Sequence, residues 1–242
     1  MISIYTQRTI SFRKGLEMTK PLRLGIAGLG TVGVGVIKII QEKLSTLEAR
    51  TGKKIIISAV TARSKTKQRG INLTPYQWEK DPVSLAKRDD VDIFIELIGG
   101  HDGVAKEAVE VAIRQGKDVV TANKALLAHH GHQLALKAEE NGSILRFEAA
   151  VAGGIPVIKS LTEGLAGNSI NRIMGVMNGT CNYILTRMES SGLSYEEVFS
   201  EANKLGYLEA DPNLDIGGID AAHKLSILSS IAFGTEVNFN GV

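Results

Sequence analysis

From Leu22 onward, apolar positions follow two alternating periodicities. Short runs with strand character, Leu22–Ala27, Ile55–Thr61, Val91–Ile98 and Asp118–Thr121, are separated by stretches whose apolar residues recur at helical spacing. The first stretch covers Val32–Leu47. The second carries Val104, Ala108, Val111 and Ala112, and the third runs from Ala125 to Glu140, closed by Asn141-Gly142. Strands separated by helices of this length build βαβ units, which predict a parallel sheet covered on both faces.

After a strand at Ile144–Ala149 the rhythm changes to a glycine-rich turn, a helix around Val157–Leu165, a strand at Arg172–Met177 and then mostly helix. Ser194-Tyr195-Glu196-Glu197 has the spacing of a capping box, and Gly206 suits the end of the helix it opens. The pattern divides into a Rossmann-type α/β domain over residues 21–145 and an α+β domain over 146–242. Residues 1–20 form an extension holding Arg8, Arg13 and Lys14 and no acid before Glu17, loosely like a mitochondrial transit peptide. Met18-Thr19-Lys20-Pro21 reads as a natural start before the first strand, so a disordered extension is the simpler reading.

Composition narrows the function classes. With 242 residues and 43% hydrophobic content the chain can bury a substantial core. Its net charge of +2, with both signs interspersed, lacks the concentrated basic face that nucleic acid requires. No apolar run approaches the roughly 18 residues of a membrane span, and no apolar core follows the basic N-terminus. A soluble, cytoplasmic protein is the expectation, and the single cysteine, Cys181, fits a reducing compartment.

Gly28-Leu29-Gly30-Thr31-Val32-Gly33 matches G-x-G-x-x-G between an apolar strand and an amphipathic helix. The first glycine permits the tight turn, the second lets backbone approach a pyrophosphate, and the third allows close helix–strand packing. The second strand ends Thr61-Ala62-Arg63-Ser64 without the carboxylate that would favour NAD. Arg63, with Lys65 and Lys67 nearby, can pair with a 2′-phosphate, which favours NADP while leaving NAD possible. The alternative for Arg63 is a solvated loop residue.

Two further segments end in polar residues at strand C-termini, Glu96-Leu97-Ile98-Gly99-Gly100 and Val120-Thr121-Ala122-Asn123-Lys124, so Lys124 is expected near the nicotinamide. Asp220 and Lys224 stand four apart on one helix face, a spacing that by itself usually means a surface ion pair. His129, His130 and His132 are more simply separate helix positions than a metal cluster. Cys181 invites a thioester-forming aldehyde dehydrogenase as a rival reading, but no histidine is evidently paired with it.

The stretch from Gly206 to Lys224, with Glu209, Asp215, Asp220 and Lys224 in register, resembles the signature of homoserine dehydrogenases. Gly28–Gly33, Glu96–Gly100, Thr121–Lys124, Glu148–Pro156 and Asn178–Tyr183 match in order, so the resemblance runs from residue 22 to about residue 234. It implies interconversion of L-homoserine and L-aspartate 4-semialdehyde, in the branch of metabolism leading to threonine, isoleucine and methionine. Lys224 would be the acid/base and Asp220 its support, with Glu209 and Asp215 on the substrate. A lysine serves as base when desolvation or a neighbouring cation, here Lys124, lowers its pKa. Glu148, Val151, Gly153 and Ile155 match the family's sodium site, whose oxygen donors suit a hard cation; read without the family, this turn is structural. Family members continue well beyond the position of Val242, many with a regulatory ACT domain, so the resemblance implies a C-terminally truncated catalytic domain. It also implies a homodimer for the full-length enzyme. An NADP-binding fragment with little turnover is the alternative.

Overall fold

The computed structural model describes residues 19–207 and 217–242. Six strands, β1 (Thr19–Ala27), β2 (Lys53–Thr61), β3 (Gln77–Trp78), β4 (Ile93–Glu96), β5 (Asp118–Thr121) and β6 (Leu145–Arg146), form one sheet. Their order is β3-β2-β1-β4-β5-β6 and every neighbouring pair is parallel. The winding reverses between β1 and β4, so the crevice beyond their C-terminal ends is the switch point where such sheets take ligands.

Both faces of the sheet are covered, which explains why its strands read as nearly unbroken apolar runs. Phe94 and Ile95, adjacent on β4, show the two sides. Phe94 packs with Leu85 of α2 (Pro82–Ala86), Val109 of α3 (Val104–Arg114) and Leu126 of α4 (Lys124–Glu140). Ile95 packs with Ile26, Val60 and Ile37 of α1 (Thr31–Thr51). Each such fully buried side chain contributes about 1.5–3 kcal/mol.

The turn after β1 is shaped by what cannot be there. Gly28 has φ +99°, and a Cβ on it would lie 2.2 Å from the Leu97 carbonyl oxygen. A Cβ on Gly33 would lie 1.9 Å from the Gly28 carbonyl oxygen. The helix therefore approaches the ends of β1 and β4 only because both positions lack side chains. Gly30, the N-cap of α1, has an ordinary extended backbone with φ −81° and no heavy atom within 4 Å of a would-be Cβ.

Several boundaries differ from the sequence reading, each for a local reason. β1 takes in Thr19 and Lys20, whose ammonium pairs with Asp92 at 3.0 Å; the remainder of the proposed extension, residues 1–18, lies outside the described residues. β4 stops at Glu96 because its carboxylate accepts the Ile98 and Gly99 N–H groups at 2.7 and 3.1 Å, pulling the chain out of the ladder. β6 is only two residues long, and Glu148–Val151 forms a helical turn, α5, instead of extending it. The Val157–Leu165 helix is a short α6 (Val157–Lys159) that widens into a π-helical turn at Ser160–Gly164.

The Arg172–Met177 segment is not a strand: it joins no sheet among the described residues, and alternation without a hydrogen-bonding neighbour does not make a ladder. Ile173 and Met177 turn inward, while Met174 and Val176 are exposed. Beyond them come α7 (Gly179–Ser191), α8 (Tyr195–Lys204) and α9 (Ile219–Phe233). α8 starts at the expected capping box, Ser194 with Glu197, and Gly206 follows its end with φ +74°. α9 joins this region to the sheet, placing Ile227 and Leu228 against Leu127 of α4 and Val151 of α5.

Two glycines of α1 give a paired prediction. Gly33→Ala drives a methyl into a carbonyl and is expected to cost more than about 2 kcal/mol. Gly35→Ala meets nothing within 4 Å and is expected to stabilise the helix by up to about 1 kcal/mol. Urea unfolding of both variants checks the opposite signs.

Candidate active site

A cleft of about 820 Å³ opens at the switch point. Gly28, Leu29 and Gly30 form one side, and Leu97, Ile98 and Gly99 continue it. The loop after β2 supplies Arg63, Ser64 and Lys67, with Arg69 and Lys80 beyond them. Among the described lining residues four are basic and one, Asp81, is acidic. Asp81 is occupied locally, accepting the Ser84 N–H at 2.7 Å and its hydroxyl at 2.9 Å as the N-cap of α2. The remaining charge favours an anion. Thr31, Val32 and Gly33 form the first turn of α1, whose N-cap has no side-chain hydrogen bond and whose first turn holds no acid, so its leading N–H groups suit a phosphate.

A buried polar chain connects this cleft to the second cluster. Glu96, fully buried, accepts the Thr121 hydroxyl at 2.5 Å, and Thr121 accepts the Asn123 N–H at 2.9 Å. Asn123 then works in both directions: its Oδ1 caps α4 by accepting the Leu126 N–H, and its Nδ2 donates to the Gly100 carbonyl at 2.7 Å. The Gly99-Gly100 turn is thus fixed to the helix start that carries Lys124.

Lys124 leads to Asp220. The Asp220 carboxylate, 5% exposed, accepts from Lys124 Nζ at 2.8 Å through Oδ1, and from Lys224 Nζ at 2.8 Å and Asn178 Nδ2 at 3.0 Å through Oδ2. Lys224 also donates to the Met177 carbonyl at 2.9 Å, while Asn178 Oδ1 accepts the Cys181 N–H as the N-cap of α7. Burial alone would raise the Asp220 carboxyl, but hydrogen bonds from Lys124, Lys224 and Asn178 outweigh it and hold the group below the usual carboxylate range. Its place in the first turn of α9 adds a favourable dipole. The Asp220–Lys224 pair is therefore a buried junction, not the surface pair that its spacing suggests. Next to it, His223 is buried, with Nε2 lacking a hydrogen-bond partner among the described residues. Burial, then His129 and Lys124, push this imidazole below its ordinary value.

Of the residues singled out from sequence, Gly28, Leu29, Gly30 and Arg63 border the cleft, and Lys124, Asp220 and Lys224 meet in one cluster. Glu209 and Asp215 lie outside the described residues. Glu148, Val151, Gly153 and Ile155 lie on and after α5. Glu148 accepts the Ile158 and Lys159 N–H groups at 2.8 and 2.9 Å, and the Ile155 carbonyl accepts the Val157 N–H at 2.8 Å. A carboxylate offers about four lone-pair directions and a carbonyl two, so this set keeps oxygen donors of the kind a hard cation takes. Sequence reasoning assigned no role to Asn178, whose position before a helix signals a cap but not a bond to Asp220. It also passed over Arg69, whose side chain donates to carbonyls of its own loop and to the distant Leu29 carbonyl, contacts that no sequence motif marks.

Residues 28–148 match the family described as the homoserine dehydrogenase NAD-binding domain, and residues 156–242 match the family described as homoserine dehydrogenase. The chain is 49% identical over 221 residues to the homoserine dehydrogenase of Neisseria gonorrhoeae, covering 91% of this chain and 50% of that protein. The crystal structure of a homoserine dehydrogenase from Thiobacillus denitrificans superposes with a TM-score of 0.87 at 43% identity, over 93% of this chain and 52% of that one. A hyperthermophilic archaeal homoserine dehydrogenase in complex with NADPH superposes with a TM-score of 0.79 at 31% identity, over 90% of this chain and 71% of that one. The chain thus spans about half the length of the bacterial relatives it matches.

The Asp220 cluster predicts a definite pH response. Asp220→Asn leaves two ammonium groups facing each other and is expected to cost about 2–3 kcal/mol near neutral pH, below the full buried-pair penalty because both lysines reach water. Because the folded carboxyl ionises below its ordinary value of 3.8, its contribution is complete above that pH and is lost as pH falls through the folded value. Urea unfolding between pH 2 and 7 should therefore show a flatter acid limb for the variant than for the parent.

Proposed function

Since the chain belongs to the homoserine dehydrogenase family, we propose that this protein interconverts L-homoserine and L-aspartate 4-semialdehyde, with NADP preferred over NAD. The observation that carries the reading is the Lys124–Asp220–Lys224 cluster, linked through Asn123 and Gly100 to the glycine-lined cleft.

NADP bound in the cleft supplies the hydride acceptor, and NADPH the donor. The chain's residues handle the proton. In oxidation the terminal carbon of homoserine loses a hydride while its hydroxyl proton passes to Lys224 Nζ; in reduction that proton returns to the aldehyde oxygen. Asp220 and the Met177 carbonyl orient the amine from two sides. Among the described residues the Asp220 carboxylate keeps the Lys124 ammonium as its partner after Lys224 has given up its proton, so its charge stays compensated in the buried site. Glu209 and Asp215 offer complementary charge to the substrate ammonium.

Three finer assignments belong to the same reading. Arg63 selects the 2′-phosphate. The carboxylate of Glu148 with the carbonyls of Val151, Gly153 and Ile155 would hold sodium, which would supply a positive charge fixing this turn. The full-length enzyme is a cytoplasmic homodimer serving amino-acid biosynthesis; no helix among the described residues is long and apolar enough to cross a membrane. A second reading, an NADP-binding fragment with little turnover, is favoured only by the chain's half-length coverage of its relatives.

The deciding experiment follows NADPH oxidation with aspartate 4-semialdehyde. Lys224→Ala is expected to lower kcat roughly 10²–10⁴-fold, as removal of a general acid does. NADPH binding without turnover in the parent chain would favour the second reading. Arg63→Ala is expected to lower the NADPH-over-NADH binding preference about tenfold. For sodium, the melting temperature should rise more in sodium chloride than in choline chloride of equal ionic strength, and Glu148→Gln should abolish that difference.

A further inference from the structure

The loop between β2 and β3, residues 62–76, contains no regular element yet forms one wall of the cleft. A loop of this length needs something to fix it. Arg69 does so from within. Its guanidinium donates through Nε to the Leu29 carbonyl at 3.1 Å, through Nη1 to the Lys67 carbonyl at 2.8 Å, and through Nη2 to the Ser64 carbonyl at 2.6 Å. The group also lies over the Trp78 ring, 5.8 Å from its centroid, so β3 supports it from below. One side chain thereby joins the glycine-rich turn, two points of the β2 loop and the edge strand.

The bond to Leu29 matters most for the cleft. A trans peptide is planar, with its carbonyl and the following N–H pointing in opposite directions. Holding the Leu29 carbonyl toward Arg69 therefore turns the Gly30 N–H away from it and fixes the peptide plane between the first two glycines of the turn. The bonds to Ser64 and Lys67 curl the loop around a single planar fork, a geometry lysine cannot reproduce with its compact ammonium. Three of the five guanidinium donors are committed to backbone carbonyls.

We propose that Arg69 is a positioning residue that preforms the two walls of the cofactor cleft, acting on the dinucleotide as a whole and not on the 2′-phosphate. The inference rests on the reading of this cleft as a dinucleotide site. It separates Arg69 from Arg63, which borders the same cleft: loss of the fork lowers the fraction of molecules with the competent cleft, and apparent affinity falls by that fraction for any dinucleotide.

The test is a fluorescence titration of the whole chain with NADPH and with NADH, comparing the parent, Arg69→Lys and Arg63→Ala. Arg69→Lys keeps the charge, and it is expected to weaken both cofactors by the same factor, roughly tenfold, with their ratio unchanged. Arg63→Ala is expected to weaken NADPH alone. Parent-like binding of both cofactors by Arg69→Lys overturns the proposal, and so does a loss confined to NADPH, which would make Arg69 a phosphate ligand. A parent chain that binds neither cofactor overturns the dinucleotide reading instead. Should Arg69→Lys fail to fold, Arg69→Gln is titrated in its place: equal weakening of both cofactors supports the proposal, and parent-like binding of both overturns it.

Discussion

An ionised carboxylate taken out of water must be matched from every side, and in this chain the Asp220 carboxylate imposes that demand. Its penalty of several kcal/mol is offset only if Lys124, Lys224 and Asn178 all arrive together. They come from the start of α4, from α9 and from the cap of α7, so one side chain sets the relative placement of the sheet's fourth helix and the helical region after residue 157. The apolar contacts of Ile227 and Leu228 with Leu127 and Val151 supply much of the attraction between these parts, but such contacts tolerate small shifts. The carboxylate does not, and it gives the interface its register.

The same logic, on a smaller scale, runs through the polar chain beneath the cleft. Glu96 ends β4 by capturing two amides, holds Thr121 on the neighbouring strand, and through Asn123 fixes both the Gly99-Gly100 turn and the first turn of α4. Each member is satisfied, which makes the network rigid instead of costly. The Gly99-Gly100 turn beside the crevice and the helix start that carries Lys124 are thereby one mechanical unit.

The sheet region was legible in the sequence because its information is local. Buried parallel strands are apolar runs, their covering helices repeat at helical spacing, and the capping box at Ser194 is written in four consecutive residues. Reading failed where a distant partner decides. Arg172–Met177 has the alternation of a strand, but a strand also requires a neighbour, and none lies beside it among the described residues. Lys224 and Asp220 were found by spacing and resemblance, yet spacing alone pointed to a solvated pair; only Lys124 and Asn178, far away in sequence, make the carboxylate a buried junction. Arg69 left no trace at all, since what distinguishes it is three carbonyls on two separate segments.

The glycines of the turn after β1 record two different authors of constraint. At positions 28 and 33 the chain itself forbids a side chain, because Leu97 and Gly28 backbone atoms fill the space. At position 30 the backbone is one that any residue adopts and nothing from the protein stands nearby. Packing within the chain therefore makes no demand for glycine there, and under the proposed dinucleotide reading the demand comes from the pyrophosphate that docks against the turn. An alanine at 30 would leave the architecture intact while occupying the approach to the helix start, so this position preserves the outline of the guest and its two neighbours the outline of the host.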